Sequence, residues 1–285
     1  AWFDVKFKEA AQLRVGKFKT PFSHAYLTTL GETLFPQLPT SLTTAVIMPY
    51  TLNAVTPNIG TGFDLGVELH GLVKDKFGYE IGLFNGTGAA VNTASKTMSD
   101  DWHIPSLLYA GRFTYMPYGV MPSTQGNPNR LDEKKMLIGV SGSINVESEN
   151  ESTNDTRVGF EWALLYHKWY FAAEAYWMNV GFTKRQKINE HYNYVGGYIQ
   201  GGYFVAPRVQ LAARYDIMNR NSTTKDGLLN MPAVGVNYFF KGCNLKLQAM
   251  YQYTGRTGHA NQLDRDNDNL GLATHSATVQ LQYAF

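Results

Sequence analysis

Charge is scarce in this 285-residue chain: Asp, Glu, Lys and Arg make up 17% of it, against about 25% in an ordinary soluble domain. The 25 basic and 23 acidic residues leave a formal net charge of +2, which gives no bulk electrostatic case for binding nucleic acid. Cysteine is nearly absent. Cys243 stands alone, excluding an intramolecular disulfide framework and any multi-cysteine metal site. Long apolar runs are missing too. WYFAAEAYWMNVGF is interrupted by Glu174 and falls short of the roughly 20 apolar residues of a helical membrane span. No charged-then-apolar leader stands at Ala1, so an export signal is expected to have been removed or to lie outside this numbering. A 3.6-residue apolar stripe is also lacking, and only 23–61 and 117–133 leave room for short helices.

Rings, by contrast, are abundant: aromatics reach 14%, with 18 Tyr and 16 Phe. Apolar residues alternate with small or polar ones in segment after segment, the period of a strand with two different faces. Val158, Phe160, Trp162, Leu164 and Tyr166 share one face, opposite Arg157, Gly159, Glu161 and Ala163. Leu211, Ala213, Tyr215 and Ile217 oppose Gln210, Ala212, Arg214 and Asp216, and Leu245, Leu247, Ala249 and Tyr251 oppose Lys246, Gln248 and Met250. About thirteen such strands follow one another along 1–285, an all-β chain with no second domain.

The connections alternate short and long. EAAQ, VKDKFG, His167 with Lys168, Ala206 with Pro207, and KGCN are short, whereas the stretches from Ser23, Gly86, Asn145, Gly181, Asn219 and Gly255 are long. A transmembrane antiparallel up-and-down β-barrel has this pattern, tight periplasmic turns on one rim and extracellular loops on the other. The connection from Pro117, PYGVMPSTQGNPNRLDE, breaks it: it should be short. A soluble β-sandwich also alternates, but its outer face would carry many charges, and here the polar faces are rich in Gly, Ala, Ser, Thr and Gln. Rings gather at strand ends, such as Trp169 with Tyr170 and Tyr238 to Phe240, as membrane interfaces favour. The terminal strand THSATVQLQYAF ends in Phe285, which looks like an outer-membrane assembly signal and sets the periplasmic rim.

LRVGKFKTPF from Leu13, GFDLGVELHG followed by GYEIGLFNGTG, then YAGRFTYMPYG, YVGGYIQGGYFV, LAARYDIMN, VGVNYFF and VQLQYAF resemble, in that order, the phosphate-selective porin O and P family of Gram-negative outer membranes. The resemblance implies a 16-stranded barrel, usually a homotrimer, set among outer-membrane lipid and lipopolysaccharide. With thirteen strands and Phe285 at the periplasm the first strand would run downward, so an N-terminal part of the barrel is expected to precede this numbering. The resemblance also implies inward-folded loops, and the loop at 23–61 is apolar for a solvent loop, as a segment narrowing the pore would be.

A porin selects by diameter and by the charge lining its narrowest section. The inward parity holds Lys6, Lys8, Arg14, Arg112, Arg157, Arg214 and Lys246 against Asp4, Asp64, Glu68, Glu80, Glu161, Glu174 and Asp216. Neighbouring basic rungs can favour anions, and Arg suits oxyanions through its planar fork; the bland alternative for each Arg is a carboxylate on the next strand. Lys17 and Lys19 share parity with Leu13 and Val15. A charge facing mid-depth hydrocarbon costs about 2 to 4 kcal/mol, so a bulge after Gly16 is expected to turn both lysines into the pore. Phosphate selectivity is not carried over, because 23–61 contains no Lys or Arg.

Other chemistry is thin, and no cofactor is expected. Asp264, Asp266 and Asp268 have the early spacing of a calcium loop, but Asn269 replaces the turn glycine and His275 the closing Glu, so a solvated acidic loop is the better interpretation. GTGAA from Gly86 lacks the Lys of a phosphate loop. The leading expectation is a passive outer-membrane channel for small hydrophilic solutes with a mild anion preference. A scaffold or sheath around another surface protein is the alternative, and a barrel hydrolase built on His259, Asp264 and Asp266 is a distant third.

Overall fold

The computed structural model describes residues 1–47, 63–85, 107–126, 128, 133–145, 153–182, 191–219, 222, 228–257 and 273–283. Thirteen strands occupy them: β1 (Trp2–Lys8), β2 (Ala11–Lys19), β3 (Phe63–Val73), β4 (Phe77–Phe84), β5 (Leu108–Tyr115), β6 (Lys135–Asn145), β7 (Thr153–Tyr166), β8 (Trp169–Phe182), β9 (His191–Ala206), β10 (Val209–Asn219), β11 (Leu228–Lys241), β12 (Leu245–Thr257) and β13 (Thr274–Tyr283). Each pairs antiparallel with its chain neighbour in one meander from β1 to β13. The sheet is not closed; β1 and β13 are its two edges and, thirteen being odd, run in the same direction. No helix among the described residues is long and apolar enough to cross a membrane.

The alternation is realised side chain by side chain. Along β7, Arg157, Glu161, Ala163 and Leu165 are buried while Val158, Phe160 and Tyr166 are exposed. Along β10, Gln210, Ala212, Arg214 and Asp216 are buried while Leu211 and Tyr215 are exposed. A soluble protein would hide the second set; here the polar set is the enclosed one, as in a barrel whose apolar band faces lipid. Rings cluster toward the short-turn rim on the outer face: Trp169 lies against Tyr203 at 4.3 Å and Phe77 stacks on Tyr115 at 5.0 Å. Such pairs suit headgroup depth, where an apolar body meets a wet edge.

Residues 20–47, which follow β2, turn back against the polar face of the sheet. They carry α1 (His24–Leu27), a 3-10 turn at Leu30–Glu32 and α2 (Thr40–Ile47). Phe22, Ala25, Leu34, Phe35, Leu42 and Ala45 are nearly inaccessible and pack with Tyr170, Tyr176, Met178, Tyr194 and Met218 of the strands. The glycines of the inner face make room for them. A Cβ on Gly202 would stand 2.8 Å from Leu34, and one on Gly235 3.0 Å from the Phe35 ring, so here glycine on the polar face serves packing.

The long β5–β6 connection, expected to be short on the alternation of loop lengths, is genuinely long, and its described part explains why. Residues 116–126 enter from the short-turn rim and meet 28–34. Thr28 Oγ1 donates to Ser123 O at 3.2 Å, Gln125 N to Glu32 O at 2.8 Å, and Gln200 Nε2 to Gln125 Oε1 at 3.0 Å. Two segments from opposite rims therefore meet inside.

Candidate functional site

The enclosed face sorts its charges into two groups. On β1 to β7 they pair with one another. Register sets Arg14 opposite Asp4 on one side and Glu68 on the other, and Arg14 bonds both, at 3.0 Å and 3.1 Å. Arg112, opposite Glu80, bonds it at 3.0 Å and reaches Glu161 at 2.7 Å. Glu161 sits two strands away, and Gly139 between them opens the path, since a Cβ there would stand 2.7 Å from the Glu161 Cγ. His70 Nε2 lies 3.0 Å from Asp4, and Lys6 pairs with Glu9 at the β1–β2 turn. Asp64, also buried, accepts from the Leu65 amide at 2.8 Å.

On β7 to β12 the charges hold the inserted segment. Glu174 accepts from Ser23 Oγ at 2.5 Å, Ala25 N at 2.8 Å, Tyr176 OH at 2.8 Å and Tyr198 OH at 2.9 Å. Ser23 is held at φ 62° and accepts in turn from Tyr26 N at 3.1 Å, a left-handed backbone that local contacts must compensate. Asp216 accepts from Thr40 N at 2.6 Å and Ser41 N at 3.3 Å, while Arg157 donates to Ala45 O and Val46 O at 2.8 Å and 2.7 Å. α2 therefore has a carboxylate at its N-terminus and a guanidinium at its C-terminus, as the helix dipole favours. This matters because TSLTTAVI, mostly β-branched, is a poor intrinsic helix former. Arg214 donates to Gln37 O at 2.8 Å and Lys246 to Thr33 O at 2.9 Å, and from the end of β2, an exception on the other side, Lys19 donates to Tyr26 O at 2.5 Å.

Two expectations about side-chain direction need correction. The β2–β3 register runs unshifted from Gln12 opposite His70 to Lys19 opposite Phe63, so the bulge expected after Gly16 is absent. Phe18 takes the buried position, Lys17 keeps the parity of Val15, and Lys19 meets the inserted segment from the strand end. The shift falls instead in β1, between Lys6 and Lys8, and places Lys8 opposite Ala11, on the parity of Leu13. Phe285, His259, Asp264, Asp266 and Asp268 lie outside the described residues. No metal-holding cluster occurs among the described residues.

Between α1, the β5–β6 connection and the wall from β2 to β6 lies a cavity of about 320 Å³. His24, which lines it, is buried, and its Nε2 has no partner among the described residues. Burial, with Arg112 nearby, pushes its imidazole down to about 3, so it is neutral near pH 7. Tyr26 is likewise driven up by burial, and Cys243, half-buried in the β11–β12 turn, has its thiol pushed up for the same reason. Gln125, Ser23 and Ser41 are uncharged and lie in segments without strand periodicity, so their roles leave no mark in the sequence.

The chain matches the family described as phosphate-selective porin O and P over residues 1–285. It belongs to that porin family. Members of the porin O and P family reside in the bacterial outer membrane, and so does this chain. Among solved structures it is similar to the anion-selective porin from Comamonas acidovorans, with 10% identity, 87% of this chain and 65% of that one covered, and a TM-score of 0.56. The outer-membrane expressed OmpT of Vibrio cholerae is similar at 13% identity, 95% and 75% coverage and TM-score 0.50. These likenesses show the fold; the chain spans 65% of the length of the Comamonas porin. No curated protein matches.

Proposed function

We propose that this chain forms a passive diffusion channel for small hydrophilic solutes and ions, with a mild anion preference, and that it catalyses no reaction. The observation that carries the proposal is the inversion of the sheet: charged and amide side chains line the enclosed face, and Val, Leu, Phe and Tyr cover the exposed one. Segment 20–47 is the constriction in this proposal, set against the wall by Glu174 and Asp216. The basic groups of the enclosed face in this proposal are Arg157, Arg214 and Lys246, whose charge lies behind the segment they bond, and Arg14 and Arg112, which carboxylates offset; Lys6 pairs with Glu9 at the rim, Lys19 bonds the segment, and Lys17, on the parity of Val15, is left out. Family membership supports the solute-passing role, and a homotrimer embedded in lipid and lipopolysaccharide is the assembly expected of it.

One observation favours a second function, a scaffold or sheath: inserted segments pack against the enclosed face of β8 to β12. Single-channel recording in planar bilayers separates the two. Ohmic steps with a reversal potential displaced toward the anion under a KCl gradient support the channel; silence supports the sheath, and displacement toward the cation removes the anion preference.

A further inference from the structure

The cavity beside α1 has both an apolar and a polar wall around open space. Leu27, Leu72, Met121 and Leu137 supply the apolar side, and Gln12, His24, Thr114 and Ser123 the polar side. Its two oppositely charged lining residues, Arg112 and Glu80, are bonded to each other at 3.0 Å, and Arg112 bonds Glu161 as well. An anion entering here meets a guanidinium already shared by two carboxylates, and a cation meets carboxylates already bonded to it. The three groups carry a net charge of −1, so an anion is disfavoured, and a cation has to compete with the guanidinium for both carboxylates. A neutral molecule with hydroxyls on one edge and C–H groups on the other matches both walls. The volume of about 320 Å³ is at the lower end of small-molecule pockets, room for one six-carbon sugar.

We infer that this cavity is a subsite for a small uncharged hydroxylated solute of monosaccharide size, bound between the wall from β2 to β6 and α1. It deepens the channel proposal and rests on it for its place along a permeation path, though binding itself needs no conduction. Weak, reversible occupancy is what a passage site requires, with a Kd on the order of 1 mM.

The test is equilibrium dialysis of radiolabelled glucose against the detergent-folded protein, with inorganic phosphate as competitor. The expected result is saturable binding, untouched by phosphate and weakened at least tenfold in Thr114→Val, which keeps the shape of the side chain and removes its hydroxyl. His24→Leu is the second variant, with circular dichroism confirming the β-sheet of both. Binding that is non-saturable, equal in both variants, or displaced by phosphate overturns the inference. A wild type that binds glucose yet never conducts defeats the channel proposal alone; one that conducts without saturable glucose binding defeats this subsite alone.

Discussion

The two sides of the enclosed face use the same residue types differently. From β1 to β7, arginine meets carboxylate on the neighbouring strand, as Arg14 does with Asp4 and Glu68 and Arg112 with Glu80, or one strand farther, as Arg112 does with Glu161. From β7 to β12, carboxylates accept from backbone N–H groups and basic groups donate to backbone carbonyls of segment 20–47. The first side commits its charges to one another, two guanidinium groups among four carboxylates, and retains open space in front of it; the second is covered by what it binds. A count of inward charges cannot distinguish them. The partner decides whether a charge tunes the passage or holds its filling.

Matched substitutions break that comparison most sharply. Arg112→Met should destabilise the fold by about 3 to 5 kcal/mol, because it strands Glu80 and the buried Glu161; a lower urea midpoint for the detergent-folded protein checks it. Arg214→Met removes bonds to Gln37 O and Gln252 Oε1 and should cost less, about 1.5 to 3 kcal/mol, while speeding limited proteolysis within 30–40. Equal effects in both assays would erase the distinction between the two sides.

Acid sharpens it further. The folded imidazole of His24 lies at about 3, below its ordinary 6.5, so the unseated state binds the extra proton between those values. Its contribution is complete above pH 6.5 and is lost as pH falls toward 3, at about 1.4 kcal/mol per unit. Proteolysis of 20–47 should accelerate over that window, and His24→Asn should flatten the slope relative to wild type. The smallest effect concerns Cys243, whose raised thiol should react with maleimide at pH 7 several-fold more slowly than a free cysteine peptide.

Strand alternation was legible because it answers to lipid and water alone: β7, β10 and β12 have the faces their residues imply. So was the exceptional length after Pro117, though not its cause, since Gln125 and Ser123 act through single hydrogen bonds that leave no periodicity. Lys17 misled because hydrocarbon cost was weighed without the register of β3, which leaves it on the parity of Val15. The partners of Glu174 and Asp216 were invisible for a deeper reason. α2 is a helix that its own residues disfavour, formed where the wall supplies both of its caps.

Single-channel conductance of the Glu174→Gln, Asp216→Asn double variant beside wild type tests most directly whether two wall carboxylates hold segment 20–47 in the passage. The account predicts unitary steps at least twofold larger, with more frequent fluctuation between levels, as the segment loosens. Unchanged or smaller steps from a correctly folded double variant would contradict it.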